Sequence, residues 1–442
     1  MKRLVSSLAL AALAFAGGAF SAQFAHAGPG DPSPFGMLAQ LARVLVLVEK
    51  AYVDPVDRER LVEGAIKGMV AELDPHSTYF PPPENALFRD ETEGKFSGVG
   101  LEVEVRDGLP FVVVAIEGSP AAKAGVKAGE RIVAIDGEPT RGQSLDRLIR
   151  KMRGEAGTRV EISVQSENDE AARRVLLVRD NIRLNSVVGK RLSHDIGYVR
   201  IKQFQRETHT QFLETLGQIR ASAPRPLAGL LLDLRNNPGG LVDEAQAIAD
   251  ELLDGGLVFT TRQRGQIIDE ARARGGGAFA EGPLVVLVNE YSASASELLA
   301  GALQDHRRAK LVGATTFGKG SVQSILDLPG GAGLKLTTMR YYTPSGRGIQ
   351  ALGIAPDVPA GPPGARAVVR ERDLENHLPA ESSPGHPLPE GARGGGPAEG
   401  ARGGPGGEGP DAAGRGEPPD DPEKGNDRAL AAAYRLLRQG GR

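Results

Sequence analysis

Two residues of the chain, Ser294 and Lys319, have the types and surroundings that serine-type hydrolysis requires. Ser294 lies between an apolar run that predicts a buried strand and an apolar pattern at helical spacing. Lys319 follows among glycines, in the string FGKG. A serine hydroxyl needs a base to become a nucleophile, and lysine can accept its proton only if burial lowers the lysine pKa from about 10.4. The pair is therefore a possible nucleophile and general base.

Each of these residues also has a purely structural explanation. Ser294 with Glu297 three residues later fits a capping box at a helix start. A lysine between glycines is often a solvated loop residue. The stretch 313–319 imitates a phosphate-binding loop, but Gly320 stands where that motif needs Ser or Thr.

Histidine is the alternative base for a serine nucleophile. The candidates in the predicted core are His194, His209 and His306, and the last of these is expected at an exposed helix end. No GxSxG elbow accompanies any of them. The sequence therefore favours a Ser-Lys pair over a Ser-His pair.

A glycine pair at the end of another predicted strand offers oxyanion donors. The string DLRNNPGG, residues 233–240, ends in Gly239 and Gly240 and precedes a predicted helix. Free backbone N–H groups at such a turn suit a developing negative charge. A tight turn with no catalytic role explains this stretch equally well.

The elements that would carry these residues alternate between strands and helices. Apolar strands are predicted over 196–201, 227–234, 284–288 and 309–312, with helices over 208–219 and 243–253. This order predicts an α/β core. The chain of 442 residues is long enough for two or three domains, has a formal net charge of −3 and contains no cysteine. The composition gives no argument for nucleic acid and excludes thiol catalysis.

The strings SASASE, FGKGSVQ and LRNNPGG together resemble the carboxyl-terminal processing peptidases, or tail-specific proteases. The resemblance implies a β/β/α spiral core of the crotonase and Clp-protease type over residues 181–359. It implies the following site: Ser294 as nucleophile, Lys319 as base, Gln323 as the residue that orients the base, and Gly239, Gly240 and Ala295 as the oxyanion hole. Direct contact between Lys319 and Gln323 would require the strand-like stretch 320–322 to turn.

Residues 96–180 look like one compact module. The string SPAAKAGVKAGERIVAIDGEP resembles a PDZ domain, which binds a peptide C-terminus by adding it to a sheet edge. The resemblance implies a carboxylate-binding loop formed by Gly98, Val99, Gly100 and Leu101. Leu101, Val103 and the helix 144–152 would line the side-chain pocket.

The N-terminus has the features of an export signal. Lys2 and Arg3 precede an apolar stretch, and Ala25-His26-Ala27 is a small-residue cleavage site. We expect residues 1–27 to be removed and the protein to be exported to a periplasm; an uncleaved anchor is the alternative. Residues 28–95 form a predicted helical region that either packs on the core or serves as a dimerisation arm.

The C-terminal part changes composition. Residues 360–426 are rich in Gly and Pro and are predicted to be a disordered linker. Residues 427–442 are predicted to form a helix that docks on the core or on a second subunit.

The sequence thus predicts an exported serine endopeptidase that binds protein C-terminal tails and needs no cofactor. Expected partners are proteins with apolar C-terminal tails, a second copy of the chain, and an adaptor or activator protein. A non-catalytic peptide-binding scaffold and an acyl-CoA enzyme on a related fold are the alternatives.

Overall fold

The computed structural model describes most of the chain. The described residues are 34–92, 96–106, 108–116, 118–166, 169, 171–182, 185–361, 368–381 and 418–440. The predicted signal peptide and much of the predicted linker lie outside these residues. Within the described residues, no helix is long and apolar enough to cross a membrane.

The described residues contain α-helices and β-strands joined by turns and loops. The α-helices are α1 (Pro34–Ala51), α2 (Arg58–Ala71), α3 (Pro82–Thr92), α4 (Pro120–Lys123), α5 (Leu145–Met152), α6 (Thr208–Ala221), α7 (Val242–Leu252), α8 (Ala295–Asp305) and α9 (Arg428–Arg438).

The strands are numbered in the same way. They are β1 (Thr78–Phe80), β2 (Phe96–Gly98), β3 (Leu101–Arg106), β4 (Leu109–Ala115), β5 (Arg131–Ile135), β6 (Glu138–Pro139), β7 (Arg159–Gln165), β8 (Arg173–Val178), β9 (Asp180–Ile182), β10 (Val187–Leu192), β11 (Ile196–Ile201), β12 (Gly229–Asp233), β13 (Gly256–Gln263), β14 (Gln266–Ala273), β15 (Leu284–Val288), β16 (Lys310–Gly313), β17 (Ser321–Asp327), β18 (Gly333–Tyr342) and β19 (Val358–Pro359).

The chain divides into two compact units, residues 1–70 and 71–442. The described part of the first unit is a helical hairpin of α1 and α2, in which Arg58 pairs with Glu49. Apolar side chains of α1 are largely exposed, among them Phe35 at 70% and Leu38 at 60%. The predicted helices are confirmed, and their role as a dimerisation arm stays a prediction.

Residues 101–178 of the second unit form an antiparallel sheet with α5 packed against it. The strand order is β3-β4-β5-β7-β8, so β3 lies at an edge. Its core contains Val112, Ile132, Leu148 and Ile162, and Leu101 and Val103 pack against it while partly exposed. This is the architecture expected of the peptide-binding module.

The central sheet of the second unit has the strand order β10-β11-β12-β15-β16-β19. Every pair from β11 onward is parallel. Buried residues on one face pack with α6, α7 and α8, and those on the other face pack with α9. All five residues of β15 are buried, as expected for a strand covered on both faces. The predicted mixed α/β fold is confirmed.

A second sheet lies beside the central one and carries the residues that follow Lys319. Its strand order is β1-β18-β13-β14, with β17 paired to β18. The hairpin β13–β14 has no counterpart among the predicted elements. This sheet brings the turn at residues 74–77, which precedes β1, next to β17 and β18.

The region after residue 360 departs from the prediction in part. Residues 368–381, which we call the C-terminal strap, bond to the core, and Glu371 within it is fully buried. The strap is ordered by these bonds although its composition is polar. Helix α9 docks on the central sheet, where Tyr434 is fully buried.

Candidate active site

Ser294 stands on the turn between β15 and α8. Its backbone has φ 54° and ψ −116°, a strained conformation that a residue with a side chain rarely adopts. Three hydrogen bonds hold this turn: Ser294 N–H donates to Glu297 Oε2 at 2.8 Å, Ala293 N–H to Asn237 O at 3.0 Å, and Ser296 Oγ to the same oxygen at 3.0 Å. The Glu297 side of the predicted cap is therefore present. Such strain is typical of a functional residue.

The serine turn and the glycine loop lie side by side because β12 and β15 are parallel neighbours. Their carboxyl ends meet at the same edge of the sheet, and hydrogen bonds join the loops that follow. Asn236 N–H donates to Asn289 Oδ1 at 2.9 Å, and Ser292 Oγ donates to Leu234 O at 2.8 Å. The sheet topology thus assembles the site that the separate strings predicted.

Of the predicted oxyanion residues, Gly239 and Ala295 lie next to Ser294, and Gly240 lies against Phe204. A Cβ added to Gly239 would lie 2.8 Å from Ser294 Cβ and 3.1 Å from Ala295 N. Gly239 N–H is already used, because it donates to Asn237 Oδ1 at 2.9 Å. Among the hydrogen bonds of the described residues, none uses the N–H of Gly240 or of Ala295. The role of these two N–H groups as oxyanion donors stays a prediction.

A buried ion pair at the end of β12 directly precedes the glycine loop. Asp233 and Arg235 are buried and joined by several hydrogen bonds, one of 2.7 Å. Burial would raise the pKa of Asp233, but Arg235 holds it below its usual range. Tyr198 donates to Asp233 at 2.9 Å, and Asp427 at the start of α9 accepts from Arg235 at 2.7 Å. The C-terminal helix is therefore bonded to the base of the site.

Lys319 lies on a loop whose main chain is bonded to the helix of Ser294. Glu297 Oε1 accepts from Thr316 Oγ1 at 2.5 Å and Gly318 N–H at 2.7 Å. Glu297 Oε2 accepts from Lys319 N–H at 2.9 Å as well as from Ser294 N–H. One carboxylate oxygen therefore holds the main chain of both residues.

The side chain of Glu297 has no exposure to solvent. Burial raises its pKa to about 7, although its four donors favour the ionised form and act in the opposite direction. A cap residue would need only the bond to Ser294 N–H. The bonds to the Lys319 loop show that Glu297 joins two parts of the site, a role that the sequence analysis did not assign.

The environment of Lys319 favours the neutral amine. Burial lowers the pKa of Lys319, and the neighbouring ammonium of Lys335 lowers it further. Glu371, Asp74 and Glu297 act in the opposite direction, and the net effect is a lowered pKa. Among the described hydrogen bonds, none joins the Lys319 amine to the Ser294 hydroxyl in this conformation.

Gln323 lies on β17, and among the hydrogen bonds of the described residues none joins it to the Lys319 amine. Its amide Nε2 donates to Ser321 Oγ at 2.9 Å and to Thr337 Oγ1 at 3.2 Å. Thr337 Oγ1 in turn donates to Asp74 at 3.0 Å. A register shift between Val322 and Gln323 interrupts the strand, but the stretch does not turn. The role of Gln323 in orienting Lys319 stays a prediction.

The three histidines considered as alternative bases are bonded elsewhere. His194 contacts Tyr434 at 2.8 Å, His209 contacts Glu251 at 2.8 Å, and His306 contacts the Leu257 carbonyl at 2.6 Å. A fourth histidine, His76, lies on the turn before β1. It bonds to Glu371, which acts electrostatically on Lys319. His76 and Asp74 stand in the string DPHSTYF, and the pairing of β1 with β18, which no local pattern encodes, brings them to this part of the site.

The predicted carboxylate-binding loop lies between β2 and β3. The carbonyl of Val99 accepts from Ala121 N–H, and that of Gly100 from Ile116 N–H, both at 3.0 Å. Within the described residues, no hydrogen bond uses the N–H of Val99 or Gly100. Gly100 has φ +74° and lies against Ser119, so this position requires glycine. The neighbouring edge of β3 is unpaired in the sheet and can accept a peptide strand.

A strained serine, a partly buried lysine and two N–H groups without a partner among the described hydrogen bonds are the groups that a serine-type hydrolase requires. Comparison with known proteins agrees: the profile of Peptidase family S41 matches residues 195–360, that of the PDZ domain residues 111–166, and that of the activating protease CtpB N-terminal domain residues 22–82.

Relatives extend the match over most of the chain. A carboxy-terminal-processing protease of Bartonella bacilliformis is 40% identical over 356 residues, which is 79% of this chain and 82% of that protein. One from Picosynechococcus is 40% identical over 321 residues, covering 70% and 76%. The chain therefore belongs to the carboxyl-terminal processing proteases of peptidase family S41. Among solved structures, a photosystem II D1 C-terminal processing protease matches with 33% identity and a TM-score of 0.47, covering 73% of this chain and 92% of that one.

Proposed function

We propose that this protein is an exported serine endopeptidase that binds the C-terminal tail of a protein substrate at its PDZ domain. Ser294 is the nucleophile and Lys319 the general base. The observation that carries this proposal is the Glu297 carboxylate, whose Oε2 accepts from the main chain of both residues. A structural cap would not need the second bond.

The proposed reaction begins with proton transfer from the Ser294 hydroxyl to the neutral Lys319 amine. Ser294 Oγ attacks the scissile carbonyl, and the oxyanion receives hydrogen bonds from Gly240 and Ala295 N–H. Lys319 then donates the proton to the leaving amine, which leaves an acyl-enzyme that water hydrolyses. Catalytic hydrogen bonds often become short only in the substrate complex, so the lack of a bond between these two side chains among the described hydrogen bonds is compatible with this role.

Tail recognition would use the open edge of β3 and the N–H groups of Val99 and Gly100. A substrate tail that adds to this edge places its carboxylate at the loop and its last side chain beside Leu101 and Val103. Both residues are only partly buried, which leaves apolar surface for an apolar terminal residue.

The N-terminal region would bind a partner. Its match to the N-terminal domain of an activating protease supports an adaptor or activator protein, and its exposed apolar side chains suit a second copy of the chain equally. The signal-like N-terminus supports export with cleavage after Ala27.

The test uses an unstructured substrate with an apolar C-terminal residue and the mature protein. We expect cleavage that is lost in Ser294→Ala and in Lys319→Ala and weakened when the substrate C-terminus is amidated or ends in Asp. Binding without cleavage by the wild type would identify a peptide-binding scaffold instead. Equal rates on free and amidated substrates would remove the PDZ domain from substrate selection.

A further inference from the structure

The C-terminal strap carries a buried carboxylate with no role in the mechanism described so far. Glu371 is fully buried, and His76 Nε2 lies 3.0 and 2.8 Å from its two oxygens. Gln350 Nε2 donates to Glu371 Oε1 at 2.8 Å. Burying a carboxylate is costly unless it is bonded and paired, and these contacts satisfy that need. Position 371 lies beyond residues 195–360, which match the profile of Peptidase family S41.

The same contacts lead to the loop of Lys319. Gln350 Oε1 accepts from Gly320 N–H at 3.0 Å, so one side chain joins Glu371 to the residue after the lysine. Glu371 N–H donates to Phe317 O at 3.2 Å. Arg370, the preceding residue, donates to Thr316 O at 2.5 Å. The strap therefore holds the loop on both sides of Lys319.

The charges that face Lys319 come from four elements. Lys335 on β18 disfavours its ammonium form, whereas Glu371 on the strap, Asp74 on the turn before β1 and Glu297 on α8 favour it. Hydrogen bonds from Ser77, from Thr337 and from the His76 N–H hold the pKa of Asp74 below its usual range, against the effect of burial. Glu371 and Asp74 both reach the site from segments outside residues 195–360, which match the profile of Peptidase family S41, whereas Glu297 lies within them.

We propose that Glu371, held by His76 and Gln350, is a positioning residue for Lys319: it fixes the lysine loop and presents a negative charge to the amine. The inference rests on the proposed role of Lys319 as general base. The strap thereby becomes part of the active site, and His76 links it to the turn before β1. Among the described hydrogen bonds, the Glu371 side chain bonds to His76 and Gln350 and not to Ser294.

The test is the pH dependence of kcat/KM for cleavage of the tail substrate. Activity requires the neutral amine, so it rises as pH increases through the pKa of Lys319. Glu371→Gln keeps the shape of the side chain but removes a negative charge that stabilises the ammonium. We expect the acid limb to move to lower pH by about 1 unit. Glu371→Ala also loosens the loop and should lower kcat by up to about 100-fold with little change in KM.

Glu375→Gln is the matched control, because it makes the same change at an exposed position of the same strap. Its profile should coincide with that of the wild type. An acid limb that does not move in Glu371→Gln would contradict the proposal that the Glu371 charge acts on the Lys319 amine. An unchanged kcat in Glu371→Ala would contradict the proposal that Glu371 positions the Lys319 loop.

Two further measurements keep the test decisive. If Glu371→Gln does not fold, Glu371→Asp can replace it, because it retains the charge on a shorter side chain. We expect Glu371→Asp to show the acid limb of the wild type with a lower kcat. An unchanged kcat would contradict the proposal. Lys319→Ala, measured over the same pH series, separates the two hypotheses. Activity of Lys319→Ala would contradict the proposed function. If Lys319→Ala is inactive and the acid limb of Glu371→Gln coincides with that of the wild type, only the role of Glu371 is contradicted.

Discussion

Replacing Glu297 by glutamine changes one atom and should separate Ser294 from Lys319. In the wild type, each oxygen of Glu297 accepts two hydrogen bonds. The glutamine amide keeps one oxygen and puts an NH₂ group in place of the other. That NH₂ group is a donor and cannot accept a hydrogen bond. In one orientation of the amide it faces the N–H groups of Ser294 and Lys319, and in the other it faces the Thr316 hydroxyl and the Gly318 N–H.

The magnitude follows from the number of donors that lose their acceptor. Two buried donors are left unsatisfied, and each costs about 1–3 kcal/mol, which gives about 2–6 kcal/mol in total. If the loops move apart to relieve this cost, the productive arrangement becomes a minor state. A cost of about 2 kcal/mol corresponds to about a 30-fold loss of kcat.

The assay compares kcat for a tail substrate and the thermal unfolding of Glu297→Gln with those of the wild type and of Glu281→Gln, an exposed control. We expect lower kcat and lower stability only at position 297. Because burial raises the pKa of Glu297 from 4.5 to about 7, wild-type stability should decrease as pH rises from about 4.5 to about 7. Glu297→Gln should lack that contribution. Wild-type kcat and stability in this variant would refute the reasoning.

Three further changes test separate parts of the account. Lys335→Met removes the positive neighbour that lowers the Lys319 pKa, so the acid limb of kcat/KM should move to higher pH; a shift to lower pH would contradict this electrostatic assignment. Gly240→Ala places a Cβ 1.9 Å from the Phe204 carbonyl oxygen, so the loop must move and kcat should fall by about 100- to 1,000-fold; near-normal turnover would exclude this N–H as a donor. Tyr434→Ala empties a buried position under α9 and should cost about 3–5 kcal/mol in an unfolding titration, whereas an unchanged midpoint would mean that the helix is not docked.

Much of the fold could be predicted because local patterns and tertiary structure agree. The apolar run of β15 is buried on both faces, and Leu298, Leu299 and Leu303 point into the core as their spacing predicts. Ser294 and Gly240 could be proposed as site residues because their strings stand at strand ends, where a parallel sheet exposes its loops. The positions of these residues follow from sequence and sheet topology together.

The contacts around Lys319 could not be predicted in the same way. Glu371 lies in a polar segment whose order depends on bonds to His76 and Gln350, which are far away in the sequence. No local pattern encodes such a contact. Glu297 was identified as a cap because a cap explains its position, and only the distances to Gly318 and Lys319 show its second role.

The central claim is that Ser294 is a nucleophile activated by Lys319. Labelling with a fluorophosphonate, followed by mass spectrometry of the modified peptide, tests this directly and does not depend on the substrate. The account predicts a single label on Ser294 at neutral pH, lost in Ser294→Ala and in Lys319→Ala and retained in Lys310→Ala, an exposed lysine on β16. A label on another residue, or full labelling of Ser294 in Lys319→Ala, would contradict it.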